Sequence, residues 1–418
     1  MKVQYLSNRL SRTDYFVIVL FLLYMVHNSP YVGVRMPAIF FASVIILLFI
    51  IACINLARYQ NIVRFIMPLF SLYFLDIFFL QYYEINSVEG VMRLLSGMMQ
   101  ILLYPLLAAY AINKGSIKLA MWLLALFLFV EFTTYVTSVI AESTISGIIR
   151  MNPGLLRVED PMMYAMKMSM NVGNFDTVYG CATLVPIGIL LIKWRSQLLP
   201  NKLHQLVTVM ATTFMVYFVY VSQFTMALVG VLLMTLTIAF PKYLSLRFFK
   251  NTIWIGLLAI LLVWRALPPV LHSIADSIDS EIMAERFEGI AIFLEGGNDT
   301  GSLDVELRQA AYKKPLQAMV STYMLGTWSD DGNGGHSYLL DSLGKYGIIG
   351  IILLLVFYKS VLKLLYIPYK HEPWVYYFLY GVLGATFFYL FNPSELFPQL
   401  LFCYPLSAFL INYKLHKI

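Results

Sequence analysis

His336 closes a glycine-rich turn and opens a long apolar run, which is a favourable position for acid–base chemistry. The turn spans residues 332–336 and reads Gly-Asn-Gly-Gly-His. Imidazole is the side chain whose ordinary pKa lies nearest neutrality. At a helix N-terminus the dipole disfavours its protonation and favours anions, and glycines let backbone N–H groups approach a phosphate closely. The pattern predicts a neutral general base beside a phosphate-binding turn.

Arginines in the polar stretches could hold a diphosphate, because planar guanidinium groups bind phosphate in pairs of hydrogen bonds. Arg308 lies in the same polar stretch as His336, and its alternative is a solvated charge on a helix. Arg286 has glutamates on both sides and could pair with them instead. Arg150 and Arg157 lie in a second polar stretch and could reach the same cavity. A guanidinium cluster around the turn is one interpretation, and solvated faces are the other.

Two acidic residues, Asp76 and Glu131, lie within apolar runs, where a carboxylate is costly and therefore a candidate for function. A sugar-binding or ion-coupling role and an internal hydrogen bond between helices are both open for them.

A metal site is not expected. Asp330 and Asp331 precede the turn without the spacing of a calcium loop, and the 6 histidines form no zinc pair. Aromatic residues near the turn, such as Tyr312, could stack on sugar rings or belong to an interfacial belt.

The elements that must position these residues are apolar helices. The chain has 418 residues, of which 60% are hydrophobic and 12% charged, against about 25% charged in soluble domains. Apolar runs long enough to cross a ~30 Å hydrocarbon core recur throughout. They predict an all-α polytopic membrane protein with about twelve transmembrane helices, over residues 15–33, 37–57, 62–82, 91–113, 117–140, 175–193, 205–222, 224–241, 251–271, 346–366, 373–391 and 396–414.

The distribution of charge predicts the sidedness of these spans. With both termini in the cytoplasm, most of the 29 basic residues fall into short cytoplasmic segments, as the positive-inside rule requires. Only Asp14 and Glu372 are acidic residues flanking those segments. The net charge of +6 reflects this asymmetry and gives no case for nucleic acid. The first apolar run is expected to be an uncleaved anchor, and the 3 cysteines, all within spans, are expected to be free.

The sequence divides into residues 1–271 with nine spans and an external loop over 141–174, a large loop over 272–345, and 346–418 with three spans. The large loop is expected to be helical. Isoleucines from Ile274 onward recur at helical spacing up to Leu294. A second helix is expected from a cap at Ser302 to about Met319, with a kink at Pro315.

The turn also carries a family resemblance. His336-Ser337 is followed after nine residues by Gly347-x-x-Gly350, and Arg308-x3-Tyr312 lies upstream. This arrangement resembles the superfamily of O-antigen ligases and O-antigen or capsule polymerases. The resemblance is close over the loop and about 50 residues, and elsewhere extends only to the topology.

The resemblance implies a C-type glycosyltransferase that works at the periplasmic face of the bacterial inner membrane without metal or cofactor. The implied substrate is an undecaprenyl-diphosphate-linked oligosaccharide, and the implied partners are membrane lipid and a chain-length regulator. The site residues follow from the resemblance together with the chemistry above. The expected catalytic residues are His336, Arg308 and Arg286, and the expected substrate-binding residues are Arg150, Arg157, Gly334, Gly335, Ser337 and Tyr312.

One hairpin departs from the family pattern. Many members have a basic residue at the external hairpin between two mid-chain spans, but Val221–Thr225 here reads Val-Ser-Gln-Phe-Thr. The favoured function is a polymerase that transfers the growing glycan to a lipid-linked repeat unit. A ligase acting on lipid A-core, and a flippase of lipid-linked oligosaccharide, stay open as alternatives.

Overall fold

The structure is a computed structural model that describes residues 9–33, 35, 38–56, 61–82, 88–239, 267–278, 281–295, 303–335, 337–391 and 398–416. Over these residues the chain is helical and forms no β-strand. An all-α protein was expected from the apolar runs, and this is confirmed for the described part of the chain.

The helices follow the order of the predicted spans. The first group consists of α1 (Arg12–Asn28), α2 (Pro30–Gly33), α3 (Ala38–Leu56), α4 (Asn61–Tyr82), α5 (Val88–Asn113), α6 (Ile117–Thr144), α7 (Pro153–Glu159), α8 (Pro161–Ser169) and α9 (Phe175–Lys193). The second consists of α10 (Arg195–Leu198), α11 (Lys202–Val221), α12 (Thr225–Ala239), α13 (267–277), α14 (Glu281–Leu294), α15 (Leu303–Ser321), α16 (Tyr338–Tyr366), α17 (Val375–Phe391) and α18 (Tyr404–His416). A π-helical turn over Gln399–Cys403 leads into α18.

Among the described residues, four helices are long and apolar enough to cross a membrane. They cover Ile117–Thr144, Phe175–Lys193, Lys202–Val221 and Tyr338–Tyr369. Shorter apolar helices coincide with several other predicted spans, for example at Ile39–Ile54 and Thr225–Ile238. Most of the predicted span 251–271 lies outside the described residues. Several apolar helices are therefore suited to a membrane, and the full count of twelve stays a prediction.

The chain forms two compact units. The first comprises Met1–Val231, Ile349–Phe388 and Ser394–Ile418, and the second comprises Leu232–Ile348 and Tyr389–Pro393. The predicted large loop, 272–345, falls within the second unit, which also takes in the chain before it. The predicted division at residues 271 and 345 is untested by these units, since it was drawn by membrane topology and not by compactness.

Aromatic side chains form the core of the first unit. Phe402 lies at its centre, with ring centroids 5.1 Å from Phe21, 5.7 Å from Tyr104 and 5.6 Å from Phe127. These rings come from α1, α5, α6 and the π-helical turn. Aromatic pairs at such distances add about 0.5–1.5 kcal/mol each beyond the area they bury, so this cluster fixes the packing of four distant segments.

A buried ion pair joins α1 to α5 at the end of the helices predicted to face the cytoplasm. Asp14 is fully buried, and both of its oxygens lie 2.7 Å from Nζ of Lys114. Tyr110 donates a further hydrogen bond at 3.0 Å, and the backbone N–H of Ser11 donates one at 2.7 Å. Because each acceptor position is occupied, the carboxylate can be buried without the penalty of an unpaired charge.

The second unit differs from the sequence expectation in one helix. The isoleucine spacing predicted a single helix from Ile274 to Leu294, but the structure has two, α13 and α14, with Ile278 outside both. The buried apolar side chains of the two helices include Leu271 and Ala275 on α13 and Ala291 on α14, while Ile274 and Ile290 are half-buried. The next helix, α15, runs from Leu303 to Ser321 and includes Pro315, close to the predicted limits.

Candidate functional site

The glycine-rich turn of the second unit is built on a close approach between two backbone segments. Gly347 interrupts α16 with φ 60° and ψ −160°, so the helix that begins at Tyr338 ends there and a second one follows. On either side of this break, Trp328 N–H donates to the carbonyl of Lys345 at 2.7 Å, and Ile348 N–H donates to that of Met324 at 2.9 Å. The segment before the turn is therefore fixed to the helix after it.

Gly347 must lack a side chain for this arrangement to form. Its positive φ is one that residues with a Cβ rarely adopt. A Cβ placed on it would also collide with the backbone of Met324 and Leu325. Gly347 of the motif thus has a structural function here, since it ends a short helix and lets the chain at 324–325 lie directly against it.

The turn itself lies on α15. A Cβ on Gly334 would collide with the carbonyl of Ala311, so the two backbones are in direct contact. Further along, Gly344 approaches Pro315 in the same way, since a Cβ placed on Gly344 would lie only 2.8 Å from Cα of Pro315. The residues that flank His336 are therefore held against the middle of α15, the helix on which Arg308 and Tyr312 lie.

Asp341 occupies the N–H groups of the turn. Its carboxylate accepts hydrogen bonds from the backbone of Gly334 at 2.6 Å, Gly335 at 3.2 Å and Ser337 at 3.3 Å. The sequence expectation was that these N–H groups and the helix dipole face a phosphate. In this structure they face a carboxylate of the same chain, so a phosphate would have to displace Asp341 or be held by other groups.

Ser337 caps the helix that follows. Its Oγ accepts from Leu340 N–H at 3.2 Å and donates to the carbonyl of Tyr389 at 3.2 Å, and the residue is 1% exposed. The tyrosine rings of Tyr338 and Tyr389 pack beside it with centroids 5.1 Å apart. The hydroxyl is thus used within the fold, and a role for it in binding substrate stays a prediction.

The predicted catalytic residues are described to different extents. His336 lies outside the described residues, while its neighbours Gly335 and Ser337 are described. Arg308 lies on α15, three residues and so about one turn before Ala311, and Arg286 lies on α14; both of their side chains fall outside the described part. Tyr312 follows Ala311 and is half-buried. The structure thus brings the turn that carries His336 onto the helix that carries Arg308.

Arg150 and Arg157 belong to the first unit. Arg157 is exposed on α7, and Arg150 is half-buried in the turn between α6 and α7. That turn is braced by Glu142, whose carboxylate accepts from Gly147 and Ile149 N–H groups. Arg150 therefore lies in a turn whose backbone is fixed by hydrogen bonds, and a role for either arginine in binding substrate stays a prediction.

A buried lysine holds the same turn, a role that the sequence alone did not indicate. Lys167 on α8 is fully buried, and its ammonium group donates to three carbonyls at 2.7–3.1 Å, those of Ile148, Ile149 and Met151. Burial lowers the pKa of Lys167 to about 8, an effect that the charge of Glu142 opposes. An ammonium with three proton donors matches three converging carbonyls, so Lys167 is a structural clamp of this turn.

The hairpin that lacks the family's basic residue is closed by an aromatic side chain. Phe224 lies between α11 and α12, is 6% exposed, and its ring centroid lies 4.9 Å from that of Phe175 and 6.0 Å from that of Tyr179. Gln223 precedes it with a positive φ of 55°. Phe224 thus packs into the first unit at the hairpin.

The two carboxylates within apolar runs have different surroundings. Asp76 is fully buried within α4. Glu131 is half-buried on α6 and lines a cavity. Among the described residues, no group of three or more His, Cys, Asp or Glu side chains is placed to hold a metal ion.

In comparisons with protein family models, with curated proteins and with solved structures, the chain matches none. The resemblance to the ligase and polymerase superfamily therefore depends on the motif residues around His336. The proposed function rests on the chemistry and the geometry of the turn.

Proposed function

We propose that this protein is an integral membrane glycosyltransferase of the polysaccharide polymerase type. It transfers a growing glycan from undecaprenyl diphosphate to a lipid-linked repeat unit at the periplasmic face of the bacterial inner membrane. Twelve spans, cytoplasmic termini and a chain-length regulator as partner belong to the same proposal. The fold is then of the C-type glycosyltransferase kind, and neither a metal nor a cofactor is required.

The observation that carries the proposal is the packing of the glycine turn on α15. Gly334 contacts Ala311 directly, and Arg308 lies one turn earlier on that helix. A base and a cation on two segments that touch can act on the attacking hydroxyl and on the leaving diphosphate of one anomeric carbon. Glycosyl transfer from a diphosphate needs both of these functions.

In the proposed reaction, the acceptor hydroxyl oxygen attacks the anomeric carbon of the donor sugar. The bond from that carbon to the diphosphate oxygen breaks, and the diphosphate leaves with the bonding electron pair. His336 accepts the proton of the attacking hydroxyl, and Arg308, with Arg286, neutralises the leaving group. A single displacement of this kind inverts the anomeric configuration.

Asp341 changes how the phosphate is expected to be bound. Since its carboxylate occupies the N–H groups of Gly334, Gly335 and Ser337, the leaving group is assigned to guanidinium groups and not to the turn. The turn then serves to position His336. Stabilisation of the leaving group then depends on the arginines more than the sequence alone indicated.

The test is incubation of the purified full chain with one defined lipid-linked repeat unit and no lipopolysaccharide. A ladder of products supports the polymerase.

His336→Ala is expected to reduce elongation by roughly 10²–10⁴-fold, the usual contribution of a general base. His371→Ala, at an exposed residue outside the large loop, is the matched control and is expected to retain the parent rate. Elongation by His336→Ala at that rate would remove the assigned base. Single transfer only when lipid A-core is added would identify a ligase.

A further inference from the structure

A cavity in the first unit is lined by polar groups from several segments. Its volume is about 280 Å³, and it lies at the end of α1, beside the middle of α6 and the start of α9. The polar side chains that line it are those of Asn28, Ser29, Glu131, Thr134, Asn174 and Thr177. Small-molecule sites usually occupy roughly 300–1,000 Å³, so this space suits a single ring and not an oligosaccharide.

The polar wall of the cavity is fixed by hydrogen bonds within the protein. Asn171 donates to Thr134 Oγ1 at 3.2 Å. Asn174 and Thr177 form the reciprocal cap at the start of α9, where Asn174 Oδ1 accepts from Thr177 N–H at 3.3 Å. Side chains held in this way present their remaining lone pairs and donors in a preformed arrangement, which lowers the entropic cost of binding.

Glu131 gives the cavity its charge. The residues that line the cavity include this carboxylate and no lysine, arginine or histidine. When Glu131 is ionised, a phosphate or another carboxylate is repelled there, because two like charges in a medium of low polarity destabilise each other. Hydroxyl groups, by contrast, are donors that the oxygens of this carboxyl group accept.

The apolar part of the lining completes the pattern of a sugar site. Met25, Met168 and Val172 line the cavity beside the polar groups. A sugar ring has a rim of hydroxyls and faces of C–H groups, and so needs both kinds of surface. A bare cation needs several oxygen ligands within about 2.6 Å. A cavity of about 280 Å³ is much larger than the space that such a coordination shell encloses.

We propose that this cavity binds one uncharged sugar ring, with Glu131 accepting hydrogen bonds from its hydroxyls and excluding uronic acids. The assignment of that ring to the lipid-linked glycan rests on the proposed function. The cavity thus selects among glycans by charge, separately from the chemistry at His336.

The test measures binding of free sugars to the purified full chain by saturation-transfer NMR. The probes are methyl β-galactopyranoside, N-acetylglucosamine and glucuronate. The parent protein is expected to bind at least one of the neutral sugars and to bind glucuronate about ten-fold more weakly, since a like-charge penalty near 1.4 kcal/mol corresponds to that factor. Glu131→Gln keeps the shape of the side chain and is expected to remove most of this discrimination. Glu159→Gln, at an exposed residue of α7, is the control and is expected to leave it unchanged.

Several outcomes would overturn the proposal. The first is that the parent binds glucuronate as tightly as it binds the neutral sugars. The second is that Glu131→Gln discriminates between them as the parent does. The third is that no sugar binds at millimolar concentration. Failure of the proposed function is separate and appears in the elongation assay. Sugar binding that depends on Glu131 without any product ladder would keep the cavity and reject the polymerase, while a ladder with no effect of Glu131→Gln on sugar binding would do the reverse.

Discussion

Asp341 is the residue that determines the shape of the turn around His336. A carboxylate that accepts three backbone N–H bonds, the shortest 2.6 Å from Gly334, replaces the contacts that a helix start otherwise makes with water or a ligand. Hydrogen bonds to a charged group contribute about 1.5–3 kcal/mol each. Loss of this carboxylate would therefore release the turn while leaving α15 and α16 in place.

Asp341→Asn is expected to reduce kcat for elongation by roughly ten-fold or more, because neutral acceptors bind the three N–H groups less tightly. KM for the donor should change little, since the residue positions the turn and does not contact substrate. Asp341→Glu should recover part of the rate, and Asp276→Asn, at an exposed residue of α13, should behave as the parent. Steady-state kinetics with the lipid-linked repeat unit gives both constants. A lower KM with unchanged kcat would instead mean that Asp341 competes with the donor phosphate for the turn.

The sequence identified the turn but not what holds it. Glycine spacing and the titratable residue are visible in the chain, whereas the carboxylate lies four residues into a helix, where it resembles an ordinary first-turn acid. Lys167 was hidden for a similar reason, because a single lysine in a short helix is usually solvated. Its burial depends on three carbonyls at the turn near residue 150, and this convergence exists only in three dimensions.

At the scale of elements, one histidine connects α13 to α14 by hydrogen bonds. His272 Nδ1 lies 2.7 Å from Glu288 and its Nε2 lies 3.3 Å from Glu295. The hydrogen bond with Glu288 is the main reason that the pKa of His272 is raised above its ordinary value, and Glu295 adds to it. The first helix of the large loop is thereby tied to the second by a contact that needs a protonated imidazole.

The pH dependence of this contact follows from the sign of the shift. A raised pKa in the folded state means that its stabilising effect is complete below the ordinary value near 6.5 and is lost as pH rises through the raised value. Hydrogen exchange of residues 267–278 and 281–295 should therefore accelerate as pH rises above the raised pKa of His272, after correction for intrinsic exchange. His272→Gln should show fast exchange at acidic pH as well, and His371→Ala should match the parent. Equal protection from hydrogen exchange in the parent and in His272→Gln at pH 5 would contradict a stabilising role for the His272 contacts.

Apolar periodicity located most helices but missed how they are interrupted. The runs that predicted spans at 117–140, 175–193 and 205–222 correspond to α6, α9 and α11. The break between α13 and α14 was missed, because the same apolar spacing continues on both sides of it. The interruption of α16 at Gly347 depends on a close approach to residues 324–325, which no local pattern encodes.

Over the whole molecule, the two acidic exceptions to the charge asymmetry both have a polar partner. Asp14 is bound by Lys114, and Glu372 lies 3.0 Å from His416 Nε2. A paired carboxylate contributes little to the local charge that determines orientation, and acidic residues have a small effect on it in any case. The positive-inside interpretation stays a prediction that is compatible with these contacts, and it can be tested directly.

Single cysteines at exposed positions should react with a membrane-impermeant maleimide according to the predicted sidedness. Glu159→Cys and Asp276→Cys should label in intact spheroplasts, and Lys202→Cys and Lys370→Cys should label only after permeabilisation, because the basic segments are retained in the cytoplasm. All four positions are exposed. The background protein should have Cys53, Cys181 and Cys403 replaced by alanine, since Cys53 is only partly buried. Labelling of Asp276→Cys and Lys370→Cys from the same side would reject the topology, and with it a periplasmic location for the turn that carries His336.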